Sequence, residues 1–312
     1  MGSRDPVPCP LAPMLATLVD EPFHQEGWIF EEKYDGYRII ACKRNRQVSL
    51  WSRNGNDKTQ QFAEIAESVA RLPARNAVLD GEVVGFDERL VSRFQLLQRG
   101  AAPLVYAVFD CLSLEGRDLR NRPLAERRAV LEELVGNHDR LFPSRQLARN
   151  GLGAYKSAVK RGYEGVVGKD LASLYTSGRS KKWLKVKVRR EEEFVIGGYT
   201  LPSGARSGFG ALLLGAYQGK KLRYVGKVGA GFSSEQLESL PKLFARSRRD
   251  TPPFDSPPRE KGATWLAPRH VAQVAFQEWT ADGKLRQPVF LGLRDDKGHQ
   301  EVRFPRLPGP RV

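Results

Sequence analysis

A lysine near its reference pKa of ~10.4 carries a proton and cannot attack anything; burial or nearby positive charge must remove that proton first. The segment Glu31-Glu32-Lys33-Tyr34-Asp35-Gly36-Tyr37-Arg38 sets a lysine two residues before a carboxylate, then a glycine, then an arginine. Lys33 and Asp35 share strand parity, so both can face one pocket if a strand runs into a turn at Gly36. Far downstream, Trp183-Leu184-Lys185-Val186-Lys187 repeats lysine at strand spacing. Lys185 and Lys187 then share a face, with Val186 toward a core, and two like charges side by side repel unless an anion sits between them. One deprotonated lysine among other cations, with carboxylates for a metal, suits attack on a nucleotide phosphate.

Other segments add weaker signals. Asp80 and Glu82 alternate with Leu79 and Val83, so two carboxylates share one strand face and could hold a ribose hydroxyl or a hard cation. Taken alone, that pattern is more often a solvated strand face. Phe109 stands at the end of an apolar run where a purine could stack, although a lone Phe is more often core. Glu164 and Lys169 have opposite parity, so a regular strand turns only one of them to a pocket; Glu164 is the expected metal-side residue. Arg294-Asp295-Asp296-Lys297 by itself reads as a polar turn, and Lys-x-Asp-Gly by itself as an exposed one.

These residues need strands to hold them. Periodicity predicts strands over 28–32, 37–43, 48–51, 77–86, 104–112, 165–169 and 183–188, and helices over 59–72, 92–99, 124–135 and 154–160. Asp57 or Thr59 is the expected cap of the first helix. The mixture reads as α+β rather than a regular βαβ alternation. Beyond residue 190 come mostly short strands, over 194–199, 211–217, 222–228 and 271–279, with one helix over 234–245. That arrangement suits a small barrel such as an OB-fold. The expected domains are therefore 1–189 and 190–312. Thr251–Pro258 reads as a rigid surface loop.

Composition bounds the rest. Lysine and arginine number 51 against 36 acidic residues, a net charge of +15 that suits a polyanionic partner. No run approaches the ~20 apolar residues of a membrane span, and no signal-like segment opens the chain. Cys9, Cys42 and Cys111 are odd in number and scattered, without a CxxC pair, so structural zinc is not expected and a reducing cytosol fits best. A monomeric, intracellular, cytoplasmic protein is the expectation.

Taken in order, Lys33-Tyr34-Asp35-Gly36, Ser52-Arg53-Asn54-Gly55, Asp80-Gly81-Glu82, Phe109-Asp110, Glu164 to Lys169, Trp183 to Lys187 and Arg294 to Lys297 resemble the motifs of the covalent nucleotidyltransferases: ATP-dependent DNA ligases, RNA ligases and mRNA capping enzymes. Pro13-Met14-Leu15-Ala16, Tyr175 to Trp183, Gly208 to Gly215, Gly226 to Gly229 and Val289 to Lys297 resemble the ligase module of bacterial ligase D, which acts in non-homologous end joining. The resemblance covers residues 10–305. It implies an adenylation domain of antiparallel sheets with flanking helices, followed by an OB-fold. It implies an ATP-dependent ligase that seals 5′-phosphate/3′-hydroxyl nicks through lysyl-AMP and DNA-adenylate, with ATP and Mg2+ or Mn2+ as cofactors. Lys33 would be the nucleophile. Glu31 would lie by the adenine, Phe109 would stack on it, and Arg38 and Arg53 would contact the ribose-phosphate side or the nick phosphate. Glu82 would hold the ribose, with a share in metal binding, and Glu164 the metal. Lys185 and Lys187 would bind the α-phosphate. Arg294, Asp296 and Lys297 would orient pyrophosphate. Nicked duplex DNA would be the partner, with Ku and end-joining polymerase or nuclease proteins as candidate recruiters. The resemblance implies separate polymerase and phosphoesterase modules in fuller relatives, which this chain lacks. Gly168 stands where such relatives often carry alanine, a difference expected to be tolerated. The rival readings are an RNA ligase or capping-type guanylyltransferase, and a non-catalytic nucleic-acid-binding protein on the same fold.

Overall fold

The computed structural model describes residues 7–136, 138–188, 191–202, 207–280 and 282–305. The chain divides into two units, Met1–Arg189 and Arg190–Val312. Arg189 and Arg190, at the expected boundary, lie outside the described residues.

The first unit runs β1 (Met14–Leu18), β2 (Trp28–Lys33), β3 (Tyr37–Arg44), β4 (Gln47–Ser52), α1 (Ala63–Ala70), β5 (Asn76–Gly85), α2 (Phe94–Gln98), β6 (Leu104–Leu114), β7 (Arg117–Asp118), α3 (Leu124–Val135), β8 (Leu141–Pro143), β9 (Gln146–Ala148), α4 (Gly151–Arg161), β10 (Gly165–Asp170) and β11 (Gly178–Lys187). One sheet has the order β1-β11-β10-β2-β9 and the other β4-β3-β5-β6-β7, with β8 also on β6. Alternation explains β5: Ala77, Leu79 and Val83 enter one core with Ile39, Ile65 and Leu131, while Val78 enters a second with Ile40, Phe109 and Trp183. A third core, built on Phe30, Ala154, Ala158, Tyr163 and Val166, seats α4 under the first sheet. Local signals end that helix cleanly. The Asn150 side chain accepts from the Gly153 N–H at 2.7 Å, and Gly162 closes the last turn at φ +71°.

The second unit runs β12 (Glu191–Tyr199), β13 (Leu212–Gln218), β14 (Lys221–Val228), α5 (Ser234–Phe244), β15 (Arg248–Arg249), β16 (Thr264–Ala275), β17 (Glu278–Trp279), β18 (Leu285–Arg286) and β19 (Val289–Leu293). Its main sheet has the order β14-β13-β12-β16-β15, with β19 paired to β16, around a single core. This curved antiparallel sheet with one capped helix has the OB-like form expected of small barrels.

Several expectations change. The first helix is shorter than 59–72 and has no side-chain cap. Asp57 instead accepts from the Thr59 N–H at 2.8 Å, and the Thr59 hydroxyl takes the Leu50 N–H, so both serve the turn before the helix. The loop over 251–258 is not purely superficial: Phe254 is buried and packs edge-on to Tyr224 and Trp265. Short β1, β8 and β9 carry too few residues for periodicity to reveal them. Cys9 and Cys42 are joined by a disulfide, with Cα atoms 6.5 Å apart, and Cys111 is buried and free. Cysteine usage therefore lends no support to a reducing compartment. No helix among the described residues is long and apolar enough to cross a membrane.

Candidate active site

Strand register assembles the lysines. β2 runs antiparallel to β10, with Lys33 opposite Gly165 and Glu31 opposite Val167. β10 runs antiparallel to β11, with Gly165 opposite Lys187, Val167 opposite Lys185 and Lys169 opposite Trp183. Directly opposed residues point to the same side. Glu31, Lys33, Lys169, Trp183, Lys185 and Lys187 therefore share one face, while Phe30 and Val166 go to the core on the other. Gly165 is needed where three strands meet: a Cβ there would lie 2.1 Å from the Val186 carbonyl oxygen.

Lys33 forms an ion pair with Glu164, both side chains largely shielded from solvent. Burial works to lower the Lys33 pKa, but the Glu164 charge and hydrogen bond, aided by Asp35 and Glu82, leave it raised. In this state Lys33 is an ammonium, not the free amine that attack requires. Glu164 precedes the first residue of β10, so strand alternation does not bind it. Glu164 and Lys169, expected on opposite faces, both reach the site.

Asp35 is turned to another task. Its carboxylate accepts from the Phe94 N–H at 3.2 Å, and its own N–H donates to Ser92 Oγ at 3.0 Å. It thus anchors the Tyr34–Gly36 bend to the start of α2. Gly36 fits there because a Cβ would lie 2.2 Å from the Val83 carbonyl oxygen.

The second sheet supplies the facing wall. Arg38 lies opposite Glu82 and Ile40 opposite Asp80, so Arg38, Asp80 and Glu82 share a face. Asp80 and Glu82 do not act as equals. Asp80 is fully buried and accepts from Arg38 Nη2 at 2.6 Å and the Tyr175 hydroxyl at 2.7 Å. Glu82 remains half-buried. The Arg38 guanidinium lies 4.3 Å from the Phe109 ring centroid. Lys169 Nζ lies 4.3 Å from the centroids of both Phe109 and Trp183. Arg53 sits in the turn after β4, which Gly55 closes at φ +76° with its N–H on the Ser52 carbonyl.

Two functional candidates escaped the sequence reading, Arg127 and Arg128; Lys169, set aside there in favour of Glu164, pairs with Glu31, and Tyr175, quoted there only within a motif, donates to Asp80. The arginines left a signal. Leu124, Leu131, Leu134 and Val135 mark the buried stripe of α3, and Arg127 and Arg128 sit on it. Charged residues on an apolar stripe must have partners. Arg127 makes a two-bond pair with Asp110, both bonds 2.8 Å. Arg128 donates to Glu31, to Ser144 Oγ at 3.1 Å and to the Ser144 carbonyl at 2.7 Å.

Among the described residues, no group of three or more His, Cys, Asp or Glu is arranged to hold a metal. Glu164 and Glu82 are hard oxygen donors beside Lys33. Such a partial set fits a divalent cation that takes its remaining oxygens from substrate phosphates and water.

In the second unit, Arg294 pairs twice with Asp296 at 2.7 Å and donates to Gln273 at 2.9 Å, so both members are buried. Lys297, less enclosed, lies 3.6 Å from Glu193.

Comparison with known proteins gives a consistent picture. A family model described as the ATP dependent DNA ligase domain matches residues 13–187, and one described as the ATP dependent DNA ligase C terminal region matches residues 205–297. The multifunctional non-homologous end joining protein LigD of Pseudomonas aeruginosa is 41% identical, across 99% of this chain and 38% of that protein. LigD of Mycolicibacterium smegmatis is 38% identical, across 93% of this chain and 39% of its own length. The chain thus spans about two-fifths of the curated relatives it matches. Among solved structures, mycobacterial DNA ligase D complexed with ATP and MES superposes with a TM-score of 0.72 at 36% identity, covering 95% of this chain and 98% of that one. The ligase domain of M. tuberculosis LigD gives 0.52 at 37% identity, covering 94% and 97%.

Proposed function

Because the chain belongs to the ATP-dependent DNA ligases, we propose that it seals 5′-phosphate/3′-hydroxyl nicks in duplex DNA through a covalent AMP on Lys33. The observation that carries this reading is the shared face of Lys33, Lys185 and Lys187, with Glu164 in contact with Lys33. Three cations around one anionic group suit a phosphorus centre that gains charge as it is attacked.

Lys33 Nζ attacks the α-phosphorus of ATP; the N–P bond forms, the bond to pyrophosphate breaks, and AMP stays as a phosphoramidate. The 5′-phosphate of the nick then displaces Lys33 and takes up AMP. The 3′-hydroxyl displaces AMP and closes the strand. Lys185 and Lys187 hold the α-phosphate throughout. Phe109 stacks on the adenine, Glu31 lies at its edge, and Glu82 takes the ribose. Arg38 and Arg53 serve the ribose-phosphate side or the nick phosphate. Asp35 acts by fixing the bend after Lys33. A divalent cation, Mg2+ or Mn2+, held by Glu164 with Glu82 would supply positive charge that favours loss of the Lys33 proton and offsets phosphate charge. In the second unit, Lys297 orients pyrophosphate, and the Arg294–Asp296 pair shapes the loop that presents it.

The adenylation role is proposed for residues 1–189 and the OB-fold role for 190–312. The chain's similarity to the end-joining LigD proteins favours a place in end joining. Recruitment by Ku or an end-joining polymerase or nuclease, monomeric action and a place at the bacterial nucleoid belong to the same proposal.

Intact mass after incubation with ATP and magnesium tests it. The expected result is a gain of ~329 Da, absent in Lys33→Ala and lost on adding nicked 5′-phosphorylated duplex as sealed product appears. Labelling by GTP instead of ATP, or sealing by Lys33→Ala, overturns the reading.

A further inference from the structure

Resting on that reading, we propose that Arg128 is a positioning residue that sets purine choice: it anchors Glu31 so that the pocket admits a 6-aminopurine and turns away a 6-oxopurine. Glu31 is buried on β2, and each of its oxygens meets a different cation. Arg128 of α3 donates to Oε1, and Lys169 of β10 lies 2.7 Å from Oε2. Arg128 is itself fixed. Its guanidinium also holds the Ser144 hydroxyl and carbonyl, and its Nε lies 3.0 Å from Glu132. The preceding residue does the same for the opposite wall. Arg127 grips Asp110, the neighbour of Phe109 on β6, and the Ser173 carbonyl at 2.9 Å.

One turn of α3 thus braces two strands from two different sheets, β2 with Glu31 and β6 with Phe109. Nothing in catalysis requires two buried arginines there, since neither touches Lys33 or Glu164 in the described contacts. What they fix is the polar edge and the stacking face of one slot.

The chemistry of discrimination follows. A carboxylate whose oxygens are both held by cations can only accept hydrogen bonds. The exocyclic amine of adenine donates. Guanine presents a carbonyl oxygen at that position, and an acceptor facing an acceptor in a buried site is strongly disfavoured. Without Arg128, the Glu31 side chain can rotate, and a fixed acceptor no longer opposes the oxo group.

The test is adduct formation on Lys33 with ATP and with GTP, followed across concentration for the full chain, Arg128→Met, Arg128→Lys and Glu31→Gln. Arg128→Met is expected to raise the half-saturating ATP concentration at least ~10-fold with a nearly unchanged maximal rate, and to narrow the preference for ATP over GTP by ~10-fold or more. Arg128→Lys recovers part of that preference because it restores a cation. Glu31→Gln, whose carboxamide can donate or accept, narrows it as well. An ATP/GTP preference within about twofold of wild type in Arg128→Met overturns the proposal, even if its melting temperature falls, because that residue would then only hold the fold. If Arg128→Met does not fold, Glu31→Gln decides, and an unchanged preference there overturns the proposal equally. No adduct on the wild type with either nucleotide removes the ligase reading and this inference with it, whereas a normal ATP adduct with unchanged purine preference in the variants removes this inference alone.

Discussion

At the scale of single residues, two neighbours on β2 both have raised pKa values, which keeps Lys33 charged and favours neutral Glu32. Lys33 faces the site as an ammonium held by Glu164, with its pKa raised although burial pulls the other way. In the nucleotide-free chain, amine-directed labelling of Lys33 is therefore expected to lag that of exposed lysines. Glu164→Gln removes the largest raising charge and leaves only Asp35 and Glu82 to oppose burial, so labelling of Lys33 quickens; peptide mapping by mass spectrometry reads both. Glu32 faces the core. Among the described residues, neither of its oxygens has a hydrogen-bond partner, and the Arg145 guanidinium is 3.7 Å away. Burial, only partly offset by Arg145 and Arg161, pushes its carboxyl up to about 7 from 4.5. The folded state therefore binds this proton more tightly than the unfolded chain. The stability it contributes is complete below pH ~4.5 and is lost as pH rises through ~7, a change of about 3 kcal/mol. Glu32→Gln should flatten that decline, and urea unfolding at pH 5.5 and pH 8 measures it. Equal pH dependence in the variant would show that the loss lies elsewhere.

At the scale of elements, the three-strand ribbon β2-β10-β11 is the frame on which the lysines depend. Its tolerance for side chains differs along one strand. A Cβ at Gly165 meets the Val186 backbone at 2.1 Å, which cannot yield without moving β11 and its two lysines. A Cβ at Gly168 meets the far end of the Phe23 ring at 2.7 Å and Phe30 at 3.0 Å, and a ring end can swing away. Gly165→Ala is expected to cost ~3 kcal/mol and most of the adduct yield, and Gly168→Ala ~1 kcal/mol with adduct formation retained. Denaturant midpoints and intact mass compare the two. The same ribbon explains how Glu164 and Lys169 both reach the site: one stands before the strand, the other obeys its alternation.

At the scale of the whole molecule, each unit closes its own core, and the chain carries a net charge of +15. On the proposed reading, that positive charge supplies much of the grip of these two units on DNA. Nick sealing at low DNA concentration is expected to fall at least ~10-fold between ~50 and ~200 mM salt, while adduct formation with ATP changes far less. Parallel assays of the two steps across a salt series read the difference. A flat sealing profile would mean that the basic excess does not contact DNA.

The amino-acid sequence by itself determined the type of fold and the positions of the lysines. Strand and helix periods are local, and Lys33, Lys185 and Lys187 stand at fixed offsets within short segments. It also left a trace of the α3 arginines, two charges on a buried stripe. Only the tertiary structure decided what each carboxylate does. Asp35, Asp80, Asp110, Glu31 and Glu164 look alike in one dimension. Their roles follow from which cation or N–H the fold brings within hydrogen-bond reach: Phe94 for Asp35, Arg38 for Asp80, Arg127 for Asp110, Arg128 and Lys169 for Glu31, Lys33 for Glu164. Those partners lie 17 to 138 residues away, and no periodicity of one segment encodes the distance to another.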